Sequence, residues 1–95
     1  MNFVTIEYDP EQEMWVEDEN ASVWPEDYVG GGGPFYMAAK LSGLQWEHLD
    51  KVQRYQFRIL FEDDQVKGLR FLGTEARWGD FVPATQDQLV LKNPV

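Results

Sequence analysis

β-branched and aromatic side chains crowd residues 2–8, Asn-Phe-Val-Thr-Ile-Glu-Tyr, and the run stops at Asp9-Pro10-Glu11-Gln12, a turn with proline in its second position. Residues 13–19 then read as a returning strand. Centring the turn on Pro10 and Glu11 sets Tyr8 opposite Glu13, Ile6 opposite Trp15 and Val4 opposite Glu17. One face of this hairpin carries Val4, Ile6, Tyr8 and Trp15, and the other Phe3, Thr5, Met14 and Val16. Both faces hold apolar groups, so the period of two does not choose the buried one. The acids are divided by the same alternation, Glu13 and Glu17 on the first face, Glu7 and Asp18 on the second.

The pattern loosens over residues 20–33, which contain Trp24-Pro25-Glu26-Asp27 and four consecutive glycines from Gly30 to Gly33. Such a glycine run loses much backbone entropy when fixed, and it predicts a flexible acidic and glycine-rich loop. Pro34 suits the start of a helix over residues 35–41. Ser42-Gly43-Leu44-Gln45 has the form of a capping box and predicts a second helix to about Gln53, striped by Leu44, Leu49 and Val52. One longer helix with a defect at Ser42-Gly43 is the alternative.

Residues 54–62 alternate cleanly, with Tyr55, Phe57, Ile59 and Phe61 on one face and Arg54, Gln56, Arg58 and Leu60 on the other. Asp63-Asp64-Gln65 turns the chain and residues 66–72 form the partner strand. Phe81-Val82 is a short strand before Pro83, and residues 88–92 read as a last, edge strand. The fold class expected is α+β: an antiparallel sheet from the N-terminal hairpin, the central hairpin and a C-terminal strand, with one or two helices on one face, in the order ββααβββ.

The segment Ile6-Glu7-Tyr8-Asp9-Pro10-Glu11-Gln12-Glu13-Met14-Trp15-Val16 resembles the opening hairpin of HicB-type antitoxins, in which an acidic turn leads to a strand with an aromatic-Val pair. The likeness ends at Glu17. There the family continues with a Pro-Gly-containing segment, whereas this chain carries its acidic, glycine-rich connection.

Composition narrows the picture. With 95 residues the chain has room for one domain, burying roughly 60–70% of the surface exposed when unfolded. Apolar residues make up 43% of it, enough for a packed core. With no Cys, disulfides, thiolate metal sites and a Cys nucleophile are excluded. Residues 1–8 lack the basic and apolar regions of a signal peptide and no apolar run has the length of a membrane span, so the expected location is cytoplasmic.

Charge changes the picture most. The formal net charge is -9, and the first basic residue is Lys40; nine acids lie before it, from Glu7 to Asp27. Residues 40–95 balance eight acids with eight bases. Nucleic acid and anionic membrane would be repelled, because their attraction depends on clustered Lys and Arg; a basic protein surface would be attracted.

Candidate chemistry is sparse. The glycine run lacks the Gly-Lys-Ser/Thr ending of a phosphate loop, with Glu26 and Asp27 nearby to repel an anion. His48 is the single histidine, which leaves no second imidazole for zinc, and it suits a packed or half-exposed helix position. Neither Ser22 nor Ser42 lies in a nucleophile elbow. Glu17-Asp18-Glu19-Asn20 lacks the alternate-residue spacing and central glycine of a calcium loop. No enzyme activity, metal or cofactor is expected.

The acidic stretch admits three readings: a solubilising face, a docking surface for a basic partner with aromatic anchors, or a mimic of nucleic acid phosphates. The expected partner-binding residues are Glu13, Trp15, Glu17, Asp18, Glu19, Trp24, Glu26, Asp27 and Tyr28. The function expected is that of a small acidic protein-binding module, an inhibitor or antagonist docking on a basic surface of a partner such as a nucleic-acid-processing enzyme. Anti-restriction and anti-CRISPR proteins of phages and mobile elements are similar in size and charge. The alternatives are an immunity or antitoxin-type partner of a basic toxin, or a structural subunit of a larger assembly.

Overall fold

The computed structural model describes residues 2–24, 33–76, 79–85 and 89–93. Among these residues five strands, β1 (Val4–Asp9), β2 (Met14–Glu17), β3 (Gln53–Glu62), β4 (Gln65–Ala76) and β5 (Phe81–Pro83), form one antiparallel sheet in the order β2-β1-β3-β4-β5. Among the described residues one α-helix, α1 (Gly33–Ser42), lies between β2 and β3 in the chain. The architecture is therefore α+β with an antiparallel sheet, and its strand order makes β2 and β5 the two edges.

The N-terminal hairpin forms with its pairing moved by two residues from the expected register, so that Tyr8 faces Trp15 and Ile6 faces Glu17. Asp9 causes the shift. Its Oδ1 accepts the Glu11 amide at 2.9 Å and its Oδ2 accepts the Gln12 side-chain amide at 2.7 Å, which places the turn wholly after Asp9. Glu13 then closes the loop in the left-handed region at φ 54. A slip of two keeps every side chain on its expected face, because the period is two.

The buried face is the one that carries Val4 and Ile6, joined by Tyr55, Phe57 and Ile59 of β3 and Leu69 of β4. Helix α1 covers it with Phe35, Ala38 and Ala39. The two alanines, 0% and 3% exposed, allow the helix backbone to lie close, and the Phe35 ring sits 5.9 Å from that of Phe57.

The second helix does not form. Gly43 adopts φ 63, its amide donates to Lys40 O at 3.2 Å, and the Leu44 amide donates to Ala39 O at 2.9 Å. This paired return to the last turn is a Schellman stop. Ser42, expected to start a helix, is the last residue of α1, and its Oγ accepts the Leu69 amide at 2.7 Å. A short 3-10 turn, Trp46–His48, then leads to β3. The helix-like spacing of Leu44 and Leu49 serves a bent segment whose two leucines both reach the core, whereas Val52 is exposed.

The expected C-terminal strand is also replaced. Leu91 makes an isolated bridge to Leu44, and the amides of Gln45, Lys92 and Asn93 bond Val90 O, Gly43 O and Ser42 O at 2.8–2.9 Å. Val90 and Leu91 are buried there, so this segment seals the end of the helix rather than extending the sheet. Gln88 lies outside the described residues. The central hairpin agrees with the expected faces, and β4 carries two irregularities where Lys67 and Leu72 have no opposite residue on β3.

Candidate partner-binding surface

Residues 13–24 form the acidic edge of the sheet. Because β2 alternates, Trp15 and Glu17 project on the helix side, while Val16 and Asp18 lie on the opposite face. The Trp15 ring is held edge-on between Tyr8 and Tyr55, with centroids 5.6 and 5.7 Å away. Glu17 Oε1 accepts the Trp24 indole Nε1-H at 2.7 Å, and Trp24 packs against the core.

Beyond β2 the chain is well tied. Asp18 Oδ1 caps the 3-10 turn Glu19–Ala21 by accepting the Asn20 amide at 3.0 Å. Ser22 Oγ accepts the Thr5 amide at 3.0 Å and donates to Asp18 O at 2.8 Å, standing in for a ladder bond that the turn interrupts. Val23 then bridges back to Phe3. Residues 20–24, expected in a flexible loop, thus have fixed partners; residues 25–32 of that expected loop lie outside the described residues, and Gly33 opens α1. Glu26, Asp27 and Tyr28 fall there too.

Asp18 is committed to structure. Arg54 of β3 places Nη2 at 2.5 Å from Asp18 Oδ2, Nη1 at 2.8 Å from Glu75 Oε1, and Nε at 4.0 Å from Glu7 Oε2. Three carboxylates on three different strands or turns gather round one guanidinium, whose side chain is 18% exposed. The acidic half of the sequence is therefore not left wholly uncompensated in space. Arg54 is the residue that the sequence did not mark. Its role depends on the β1 to β3 pairing, which sets Ile6 beside Tyr55 and hence Glu7 beside Arg54.

On the helix side, Trp15, Glu17 and Glu19 line a cleft of about 250 Å³ together with Phe35 and Tyr36 of α1 and Trp46 of the 3-10 turn. The Tyr36 and Trp46 rings are inclined by only 30° with centroids 6.4 Å apart, and Phe35 closes the inner end at 6.3 Å from Trp46. The Tyr36 hydroxyl donates to Trp15 O at 3.4 Å, which ties helix to edge strand. Tyr36 is nonetheless 48% exposed. Neither it nor Trp46 stands out in the sequence, because only the packing of α1 against the sheet brings them to Trp15.

The expected site residues are thus distributed. Trp15, Glu17 and Glu19 share the aromatic cleft, Trp24 is bonded to Glu17, Asp18 lies on the other face with Arg54, and Glu13 is exposed at the hairpin tip. A second depression of about 440 Å³, between His48, Gln53, Tyr55, Phe71 and residues 89–90, has no carboxylate among the described residues of its lining. His48 is exposed on a 3-10 turn rather than packed in a helix, with Nδ1 3.2 Å from Leu89 O. Among the described residues no cluster of three or more His, Asp or Glu could hold a metal ion, and no helix is long and apolar enough to cross a membrane.

Compared with models of known protein families, with curated proteins and with solved structures, the chain matches none of them, so the functional reading rests on its own geometry.

Proposed function

We propose that this protein is a non-enzymatic binding module that docks its acidic edge, centred on Trp15, Glu17 and Glu19, against a basic surface of another protein and thereby blocks that surface. One observation carries the reading: two carboxylates border a cleft walled by aromatic rings that are only partly covered, at an edge of the sheet. Aromatic rings supply rigid contact area and the carboxylates supply charge complementarity, the combination found at interface hot spots. A nucleic-acid-binding face is one basic surface that would suit, and an immunity-type complex with a basic toxin would use the same edge.

Asp18 is unsuited to testing this idea, since reversing its charge would break the contacts of Arg54. Glu13 and Glu19 are both exposed and make no ion pair with the described residues. The test is affinity capture from cell lysate at low and at high salt, with the captured proteins identified by mass spectrometry. The wild-type protein should retain proteins of high pI and release them as salt rises. The Glu13→Lys/Glu19→Lys double variant should lose them while unfolding at the same denaturant concentration. Equal capture of the same proteins by the variant refutes docking through this edge.

A further inference from the structure

We propose that the cleft between β2 and α1 receives the guanidinium of a single arginine presented by the partner protein. The inference rests on the docking reading above and specifies its chemistry. Three features favour this occupant. The walls are aromatic rings, Trp15, Tyr36 and Trp46 with Phe35 behind, and aromatic rings attract cations and stack on planar ones. Glu17 and Glu19 lie in the same lining, so the cleft offers carboxylate oxygens beside the rings.

The third feature is directional. Glu17 Oε1 is held by the Trp24 indole at 2.7 Å, which fixes the carboxylate against the tryptophan, and among the described residues Oε2 has no hydrogen bond, so it can accept from an incoming N-H donor. A guanidinium satisfies both parts of the site, with a flat face for the rings and N-H groups for the carboxylate. A trimethylammonium group would use the rings and leave the carboxylates without a donor. A lysine ammonium would donate without stacking. An anion or a nucleotide phosphate would be repelled by Glu17 and Glu19. The volume, about 250 Å³, leaves room for the planar head with part of its aliphatic stem.

The probes are the capped tripeptide Gly-Arg-Gly and its counterparts with citrulline, lysine or trimethyl-lysine in the central position. Binding is read by two-dimensional NMR from the Nε1-H signals of Trp15 and Trp46, together with the quenching of tryptophan fluorescence. The arginine peptide should shift both indole signals with a dissociation constant on the order of millimolar, appropriate to one side chain. Citrulline, which is neutral and nearly the same shape, should bind at least about tenfold more weakly, as removal of a charge from such a contact requires. Glu17→Gln keeps an acceptor for Trp24, and Tyr36→Ala alters a residue that is 48% exposed. Each should weaken arginine binding about fivefold or more with far-ultraviolet circular dichroism unchanged.

Equal shifts with citrulline, tighter binding of trimethyl-lysine or lysine, or shifts confined to residues outside the cleft would each overturn the assignment. The two readings can fail separately. If a captured basic protein binds Glu17→Gln and Tyr36→Ala as tightly as wild type, the arginine receptor is wrong while docking stands. If the arginine peptide titrates the cleft but no basic protein is captured, the receptor stands and docking by this edge falls.

Discussion

The guanidinium of Arg54 contacts the carboxylate of Asp18 at 2.5 Å, joining residues 36 positions apart and tying the end of the acidic hairpin to the centre of the sheet. The same guanidinium holds Glu75 and approaches Glu7, so one residue from the balanced half of the chain anchors three acids. It separates acids that maintain the fold from those available to a partner.

Replacing Arg54 by Met should therefore destabilise the protein by about 2 kcal/mol, the cost of leaving paired carboxylates together without their cation, reduced for partial exposure. For a domain of this size that lowers Tm by about 10 °C. Added salt should recover part of the loss, since it screens the repulsion among Glu7, Asp18 and Glu75. Thermal unfolding with and without 0.5 M NaCl, roughly a Debye length of 4 Å, measures both effects. An unchanged Tm would show that the ion cluster contributes nothing.

Ser42 tests the junction of helix and sheet. Strand β5 pairs with β4 only at residues 73–75, so among the described residues no strand lies beside the outward-pointing Leu69 amide, which donates instead to Ser42 Oγ. Both residues are 0% exposed. Ser42→Ala should cost about 1–3 kcal/mol, the penalty for a buried donor without an acceptor, and the Leu69 amide should exchange faster with deuterium. A denaturant midpoint equal to that of wild type would mean that this amide finds another partner.

Gly73 controls the far edge. Its φ is 154, and a Cβ there would stand 2.3 Å from Val82 O and 2.5 Å from the Phe81 ring. Neither distance can be met without moving β5. Gly73→Ala should detach Phe81–Pro83 from β4, seen as loss of amide protection across residues 81–84 and of the Ala84 to Leu72 hydrogen bond. The rest of the sheet should persist, because β5 is short and exposed. Retention of protection in β5 would contradict the close packing at Gly73.

The tip of the central hairpin offers a stabilising change. Asp63 and Asp64 have φ values of 52 and 64, both in the left-handed region, as a type I′ turn requires. Asn-Gly fits those angles better than two adjacent carboxylates and removes their mutual repulsion. The Asp63→Asn/Asp64→Gly variant should gain about 1 kcal/mol and raise Tm by about 4–8 °C. A fall in Tm would indicate that the aspartates make a favourable local contact there.

The sequence by itself determined the local units of this protein and which residues share a face. Strict alternation over residues 54–62 identified the central hairpin, and the buried positions Tyr55, Phe57 and Ile59 follow from it. Even the misplaced turn of the first hairpin left its faces intact, because a shift of two preserves the alternation. Where one residue type serves two purposes, local pattern could not decide. Ser42 suits a helix start, but Gly43 in a left-handed conformation makes it a helix end; the C-terminal segment has strand-like residues but finds its partners at Gly43, Leu44 and Gln45. Tertiary structure alone decided how the acids are used. Strand pairing brings Arg54 to Asp18, and packing of α1 brings Tyr36 and Trp46 to Trp15 and Glu17. These partners come from elements far apart in the chain, and their meeting depends on strand order and on the covered face, which no periodicity encodes.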